Sequence, residues 1–156
     1  GYTMSLPQQE RSYKCRGEML EDIQVLLGGR VAEALTLDDI STGASNDIER
    51  ATEIARRMVT KFGMSDKLGP ICYAGSDSDE VFLGRDFGHT RNHSEDIAAQ
   101  IDAEVHRILT EGYAETEKKL NAHMDKLVAV AERLMVAEKM DGDDFRAIME
   151  ETSINE

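Results

Sequence analysis

A carboxylate becomes chemically useful when it is drawn away from water, and the position of Asp47 implies this. It lies in Ser41-Thr-Gly-Ala-Ser-Asn-Asp-Ile-Glu-Arg50, a polar stretch that turns into a helix. The apolar residues that follow are Ala51, Ile54, Ala55, Met58, Val59 and Phe62. At about 100° per residue, Asp47 falls in line with Ala51, Ile54 and Met58, while Glu49 and Glu53 point away. A carboxylate at the inner rim of a helix start needs a partner, because an unpaired buried charge is costly. The helix dipole with nearby N–H groups, an arginine and a metal ion are the three candidates. On geometry alone the plainest of these, a first-turn Asp held by the dipole, is favoured.

The other candidate groups carry weaker signals. His89 and His93 stand four apart, the spacing that puts two imidazoles on one helix face. Thr90 follows His89, however, so the H-E-x-x-H zinc pattern is absent there. The pair precedes a helix cap at Ser94 and reads as exposed loop. His106 and His123 sit among charged residues and read as helix surface. Asp77-Ser-Asp-Glu80 lacks the glycine and the distal glutamate of an EF-hand loop and reads as a polar turn. Neither G-x-x-x-x-G-K-[ST] nor G-x-S-x-G occurs. The spacing therefore supplies one suspicious Asp and no complete catalytic set.

The elements that must position Asp47 read as helical. Met19, Ile23, Leu26, Leu27, Val31, Ala34 and Leu35 recur at three- and four-residue steps and predict a helix over about 10–35. Gly28-Gly29 interrupts that pattern and predicts a bend or a close backbone approach. A second helix is expected from about Asp47 to Phe62, capped by Ser45 or Asn46 and stopped by Gly63. Asn46 with Glu49 has the spacing of a capping box. Residues 65–88 are mixed, and Ile71–Ala74 with Val81–Leu83 read as a small hairpin or two short edge strands. Ser94 caps a third helix with the stripe Ile97, Ile101, Val105, Ile108, Leu109 and Tyr113. A break near Gly112 precedes a fourth helix over about 114–139, and Asp141 with Asp144 starts a last short one. The expected fold is all-α, four to five helices with a minor β-hairpin or short edge strands.

Composition narrows the class. The chain has 156 residues, 40% hydrophobic and 31% charged, enough for one domain with a core. Aromatics are 5%, Trp is absent and Pro numbers 2, which favours helices over a β-sandwich. A net charge of -13 makes the chain a poor candidate for binding nucleic acid or an anionic membrane surface. Cys15 and Cys72 stand alone and imply no disulfide framework. No apolar run is long enough to span a bilayer, and the chain begins Gly-Tyr-Thr-Met, which reads as the middle of a longer protein.

A series of segments goes further than any single motif. Gly1-Tyr-Thr-Met-Ser-Leu-Pro7, Leu26-Leu-Gly-Gly-Arg-Val-Ala-Glu33, Ser41 to Thr52, Ala55-Arg-Arg-Met-Val59, Phe62-Gly-Met-Ser-Asp-Lys-Leu-Gly-Pro70 and Phe82-Leu-Gly-Arg85 occur in that order. Together they closely resemble the peptidase domain of the FtsH-type ATP-dependent zinc metalloproteases. In that family a zinc ion is held by two His of an H-E-x-x-H helix and by an Asp from a later helix. The Glu of that motif is the general base. The resemblance carries the Asp onto Asp47 as metal ligand, in agreement with its inward aim. Glu33 and Asn46 become candidates for supporting roles, although Ala34 stands where the family usually has a second Glu.

The resemblance implies further expectations. The H-E-x-x-H helix belongs upstream of Gly1, so no catalytic residue lies in this chain, which alone is expected to be inactive and to bind no zinc. The ATPase module, with ATP and Mg2+, and the transmembrane segments belong further upstream. The complete protein is expected to be a homo-hexamer at the cytoplasmic face of a membrane, degrading unfolded or membrane proteins and contacting no nucleic acid. This chain itself is expected to be soluble. The competing reading is a helical scaffold or oligomerisation module without catalytic activity.

Overall fold

Hydrophobic stripes at helical spacing can be buried only against one another, and three of them build the core of this molecule. A computed structural model describes residues 13–37, 39–74 and 94–151. Helix α1 runs Arg16–Thr36, α2 Ser45–Thr60, α3 Glu95–Ala122, α4 Met124–Ala137 and α5 Gly142–Glu151. Helices α1, α2 and α3 pack pairwise, while α4 meets α5 and the end of α3. The all-α expectation is borne out, and among the described residues no strand occurs.

The core is made by Met19, Ile23 and Leu27 of α1, Ala51, Ala55, Met58 and Val59 of α2, and Ile101, Val105 and Ile108 of α3, closed by Leu68. Each fully buried aliphatic side chain among them contributes on the order of 2 kcal/mol. The small residues Ala51 and Ala55, both 0% exposed, let α2 sit close to its neighbours. Helix α1 starts where the Glu18 carboxylate accepts the Cys15 N–H at 2.6 Å. The hydroxyl of Ser94 accepts the Ile97 N–H at 3.3 Å and caps α3, as its sequence predicts.

Several boundaries differ from expectation for identifiable reasons. Helix α1 runs unbroken through Gly28 and Gly29, and no other backbone approaches them, since a Cβ at either would meet nothing within 4 Å. The close approach is at Gly112 instead, where a Cβ would lie 3.2 Å from Ile23 Cγ2. Glycine there keeps α3 against α1, so α3 runs on to Ala122 and the break falls at His123. Thr116 is buried at the same crossing, where its hydroxyl donates to the Gly112 carbonyl of its own helix at 2.7 Å and lies 3.4 Å from the Gln24 carbonyl of α1.

Helix α2 ends at Thr60 with Lys61 as its C-cap, short of the expected Phe62, and Gly63 beyond it takes a left-handed φ of +59. A Cβ there would lie 2.7 Å from Pro70 Cα, so the following turn folds tightly back. Of the expected hairpin, Val81–Leu83 lies outside the described residues. Ile71–Ala74 is irregular because its amides are used elsewhere: the N–H groups of Tyr73 and Ala74 donate to the Thr60 carbonyl at 2.7 and 3.1 Å. They satisfy a free carbonyl at the end of α2.

Candidate metal-ligand position

The site is built at the junction of a loop and the start of α2. That helix begins with Ala44 as its N-cap, and Ala44 makes no side-chain cap hydrogen bond. The expected capping by Ser45 or Asn46, and the capping box of Asn46 with Glu49, are therefore not formed. The helix starts earlier because the loop supplies its own turn. Ser45 N–H donates to the Thr42 carbonyl at 3.1 Å and Ile48 N–H to the Ala44 carbonyl at 3.0 Å. Ala44 is buried, which fixes the entry of the chain into the helix.

Asp47 sits in the first turn of α2, half-buried at the rim of the core, with the fully buried Ala51 one turn on. Ile48, its neighbour, packs against the core cluster. Glu49 and Glu53 are exposed, as the periodicity requires. Among the described residues no arginine and no amide N–H is placed as a partner of the Asp47 carboxylate. Of the three candidates, the helix dipole and a metal ion thus remain. The donor chemistry fits zinc, which accepts carboxylate oxygens. Among the described residues no group of three His, Cys, Asp or Glu could hold a metal ion.

Glu33 is brought to the same junction from α1. One of its oxygens accepts a hydrogen bond from the Ser41 hydroxyl at 2.5 Å, and the other lies 3.4 Å from Arg30 Nη1. Both side chains of that ion pair are only 16% exposed. Ser41 in turn accepts the Gly43 N–H at 3.1 Å. Asn46 is exposed. His106 and His123 are exposed on their helices, and Cys15 and Cys72 are free and exposed. His89, His93 and Asp77–Glu80 lie outside the described residues.

A groove of about 870 Å³ opens between α1 and α2, with Leu26, Ile54 and Met64 on its floor and Arg50 and Arg57 at its rim. The Arg57 guanidinium stands 5.4 Å from the centroid of the exposed Phe62 ring. Sequence reasoning missed two groups of interacting polar residues, one partly exposed and one buried. Ser41 and Arg30 carry the link to Glu33. Ser65, 2% exposed, and Glu104, 5% exposed, form a second group far along the chain.

A three-helix core with one half-buried carboxylate at the start of α2 defines an all-α helical domain. The chain belongs to peptidase family M41, which it matches over residues 1–148. It is 55% identical over 148 residues to the ATP-dependent zinc metalloprotease FtsH 1 of Thermoanaerobacter sp. strain X514, covering 95% of this chain and 24% of that protein. It is 52% identical over 149 residues to the FtsH of Caldicellulosiruptor bescii, covering 96% and 24%. All 156 residues align with the FtsH of Bacillus subtilis at 44% identity, again 24% of that protein. The chain thus spans about a quarter of the length of these relatives. Among the described residues no helix is long and apolar enough to cross a membrane.

Proposed function

We propose that the complete protein is a membrane-anchored, ATP-dependent zinc endopeptidase that degrades unfolded or misassembled proteins, and that Asp47 is the zinc ligand contributed by this chain. The observation that carries the assignment is the half-buried Asp47 carboxylate, which has no protein partner among the described residues. The names of the relatives, which specify ATP dependence and zinc, support the activity. When bound, zinc supplies Lewis acidity toward the scissile carbonyl and a water of lowered pKa.

The chain's own contribution is a fixed negative donor. The rigid start of α2 holds Asp47 in place, and its charge balances two neutral imidazoles expected from an H-E-x-x-H helix. That helix also carries the general base, so this chain contains no catalytic residue and by itself should not cleave protein. A homo-hexamer, with ATP and Mg2+ in a separate ATPase domain, would deliver substrate at the cytoplasmic face of the membrane.

The test uses the full-length protein. Asp47→Asn should abolish cleavage of an unfolded protein and remove stoichiometric zinc while leaving helicity unchanged. Full zinc content and full activity in that variant would sink the ligand assignment. A second reading, a helical scaffold that packs against neighbouring subunits, is favoured by one feature: Met135 and Val136 on α4 are 84% and 83% exposed. A pure scaffold would keep its zinc content in the Asp47→Asn protein.

A further inference from the structure

We propose that Ser41 and Glu33 are positioning residues for Asp47, acting as a latch that sets where the first turn of α2 begins; this rests on the reading of Asp47 as a zinc ligand. Most helices fix their entry with a side-chain cap, and α2 has none at Ala44. Its start is instead tied to α1. The Ser41 hydroxyl donates to Glu33 Oε1 at 2.5 Å, a charge-assisted hydrogen bond of the short, strong kind. Arg30 Nη1, 3.4 Å from the other oxygen, holds the Glu33 carboxylate in place, and this pair is largely shielded from water.

The latch reaches α2 through backbone contacts. The Gly43 N–H donates to the Ser41 hydroxyl at 3.1 Å, and the Thr42 carbonyl accepts the Ser45 N–H at 3.1 Å. A Cβ on Gly43 would lie 3.3 Å from Ser41 Oγ, so the turn closes tightly around the hydroxyl. Releasing Ser41 frees the loop to shift, and with it the direction of the Asp47 carboxylate. Zinc demands near-tetrahedral placement of its ligands, so such a shift weakens the metal site before it unfolds the helix.

The experiment measures zinc affinity of the full-length protein by competition with a chromophoric chelator, alongside circular dichroism. Ser41→Ala should weaken zinc binding roughly 10- to 100-fold, the range seen when a group that orients a ligand is removed. Ser41→Thr, which keeps the hydroxyl, should restore it. Glu33→Ala should weaken binding equally, and the combined variant should be no worse than either, because both changes break one contact. Thr110→Ala, on the exposed face of α3, should leave affinity unchanged. Unaltered affinity in Ser41→Ala, additive losses, or failure of Ser41→Thr to restore binding would each overturn the latch. If Ser41→Ala loses helicity, Glu33→Ala decides the matter. Asp47→Asn, measured in parallel, separates the two claims. Zinc retained there defeats the ligand assignment, whereas zinc lost there but kept in both Ser41→Ala and Glu33→Ala defeats only the latch.

Discussion

At the scale of single residues, the most buried charge in the described structure is not at the candidate metal position. Glu104 lies between Ile101 and Ile108 on the inward stripe of α3 and is 5% exposed. It accepts two hydrogen bonds from Arg107, at 3.1 and 3.2 Å, and one from Ser65 at 2.6 Å. Ser65 also accepts the Leu68 N–H at 3.1 Å, so this cluster ties the turn after α2 to α3. The Arg107 guanidinium, then the Ser65 hydroxyl, hold the Glu104 carboxyl below its ordinary value, against the opposing effect of burial. Lys67 adds a smaller attraction, and Arg107 itself is shared with Glu111 at 2.7 Å.

The folded state therefore binds fewer protons than the unfolded one near the ordinary glutamate value of 4.5. The stabilisation is complete above that value and is lost as pH falls through it toward the lower folded value. Glu104→Gln should cost about 1.5–3 kcal/mol at pH 7, the range for hydrogen bonds to a charged group. Urea denaturation across pH should show that gap narrowing below pH 4.5; a gap independent of pH would contradict the assignment. The periodicity that aims Asp47 inward aims Glu104 inward as well. That signal is legible in the sequence, but its partner is not, because Ser65 lies 39 residues away along the chain.

At the scale of elements, glycines divide into two kinds that composition alone cannot separate. Gly28 and Gly29 occupy open positions in α1, so replacement by Ala should gain helix propensity, up to about 1 kcal/mol each. Gly112 faces Ile23, which is 0% exposed and, being β-branched, has little freedom to turn aside. Gly112→Ala should therefore lower the thermal midpoint while Gly28→Ala and Gly29→Ala raise it. A rise in all three would show that α1 yields at the crossing.

The existence of each helix, and the buried stripes of α1 to α3, follow directly from hydrophobic spacing. Boundaries follow less well, for physical reasons. The start of α2 is set by a contact from Ser41 to another helix rather than by a local cap. The expected break at Gly112 is absent because glycine is needed there for close packing against α1, so α3 continues through it. Asp47 was legible because its direction is a property of its own helix. The contacts of Glu33 were not, because they cross from α1 to a loop.

At the scale of the whole molecule, the all-α class was legible from low aromatic content and three- and four-residue spacing. Family membership was legible from a series of segments, each weak alone. A set of groups that could hold a metal was not, since among the described residues no three His, Cys, Asp or Glu come together and this chain spans about a quarter of its relatives' length.

The unequal burial of the helices has one more consequence. Helix α4 contains no buried residue, and Glu138 ends it in a left-handed conformation at φ 58, which any residue but glycine adopts at some cost. Its hold on the rest is the junction with α3 and a shared contact with α5, including the Lys126 ammonium on the Met149 carbonyl at 2.5 Å. The molecule should consequently open in stages, the outer helical pair first and the inner three together. Native-state hydrogen exchange should find the amides of 124–151 trading deuterium through a low-energy opening, while those around Ile23, Met58 and Ile101 exchange only when the entire core gives way.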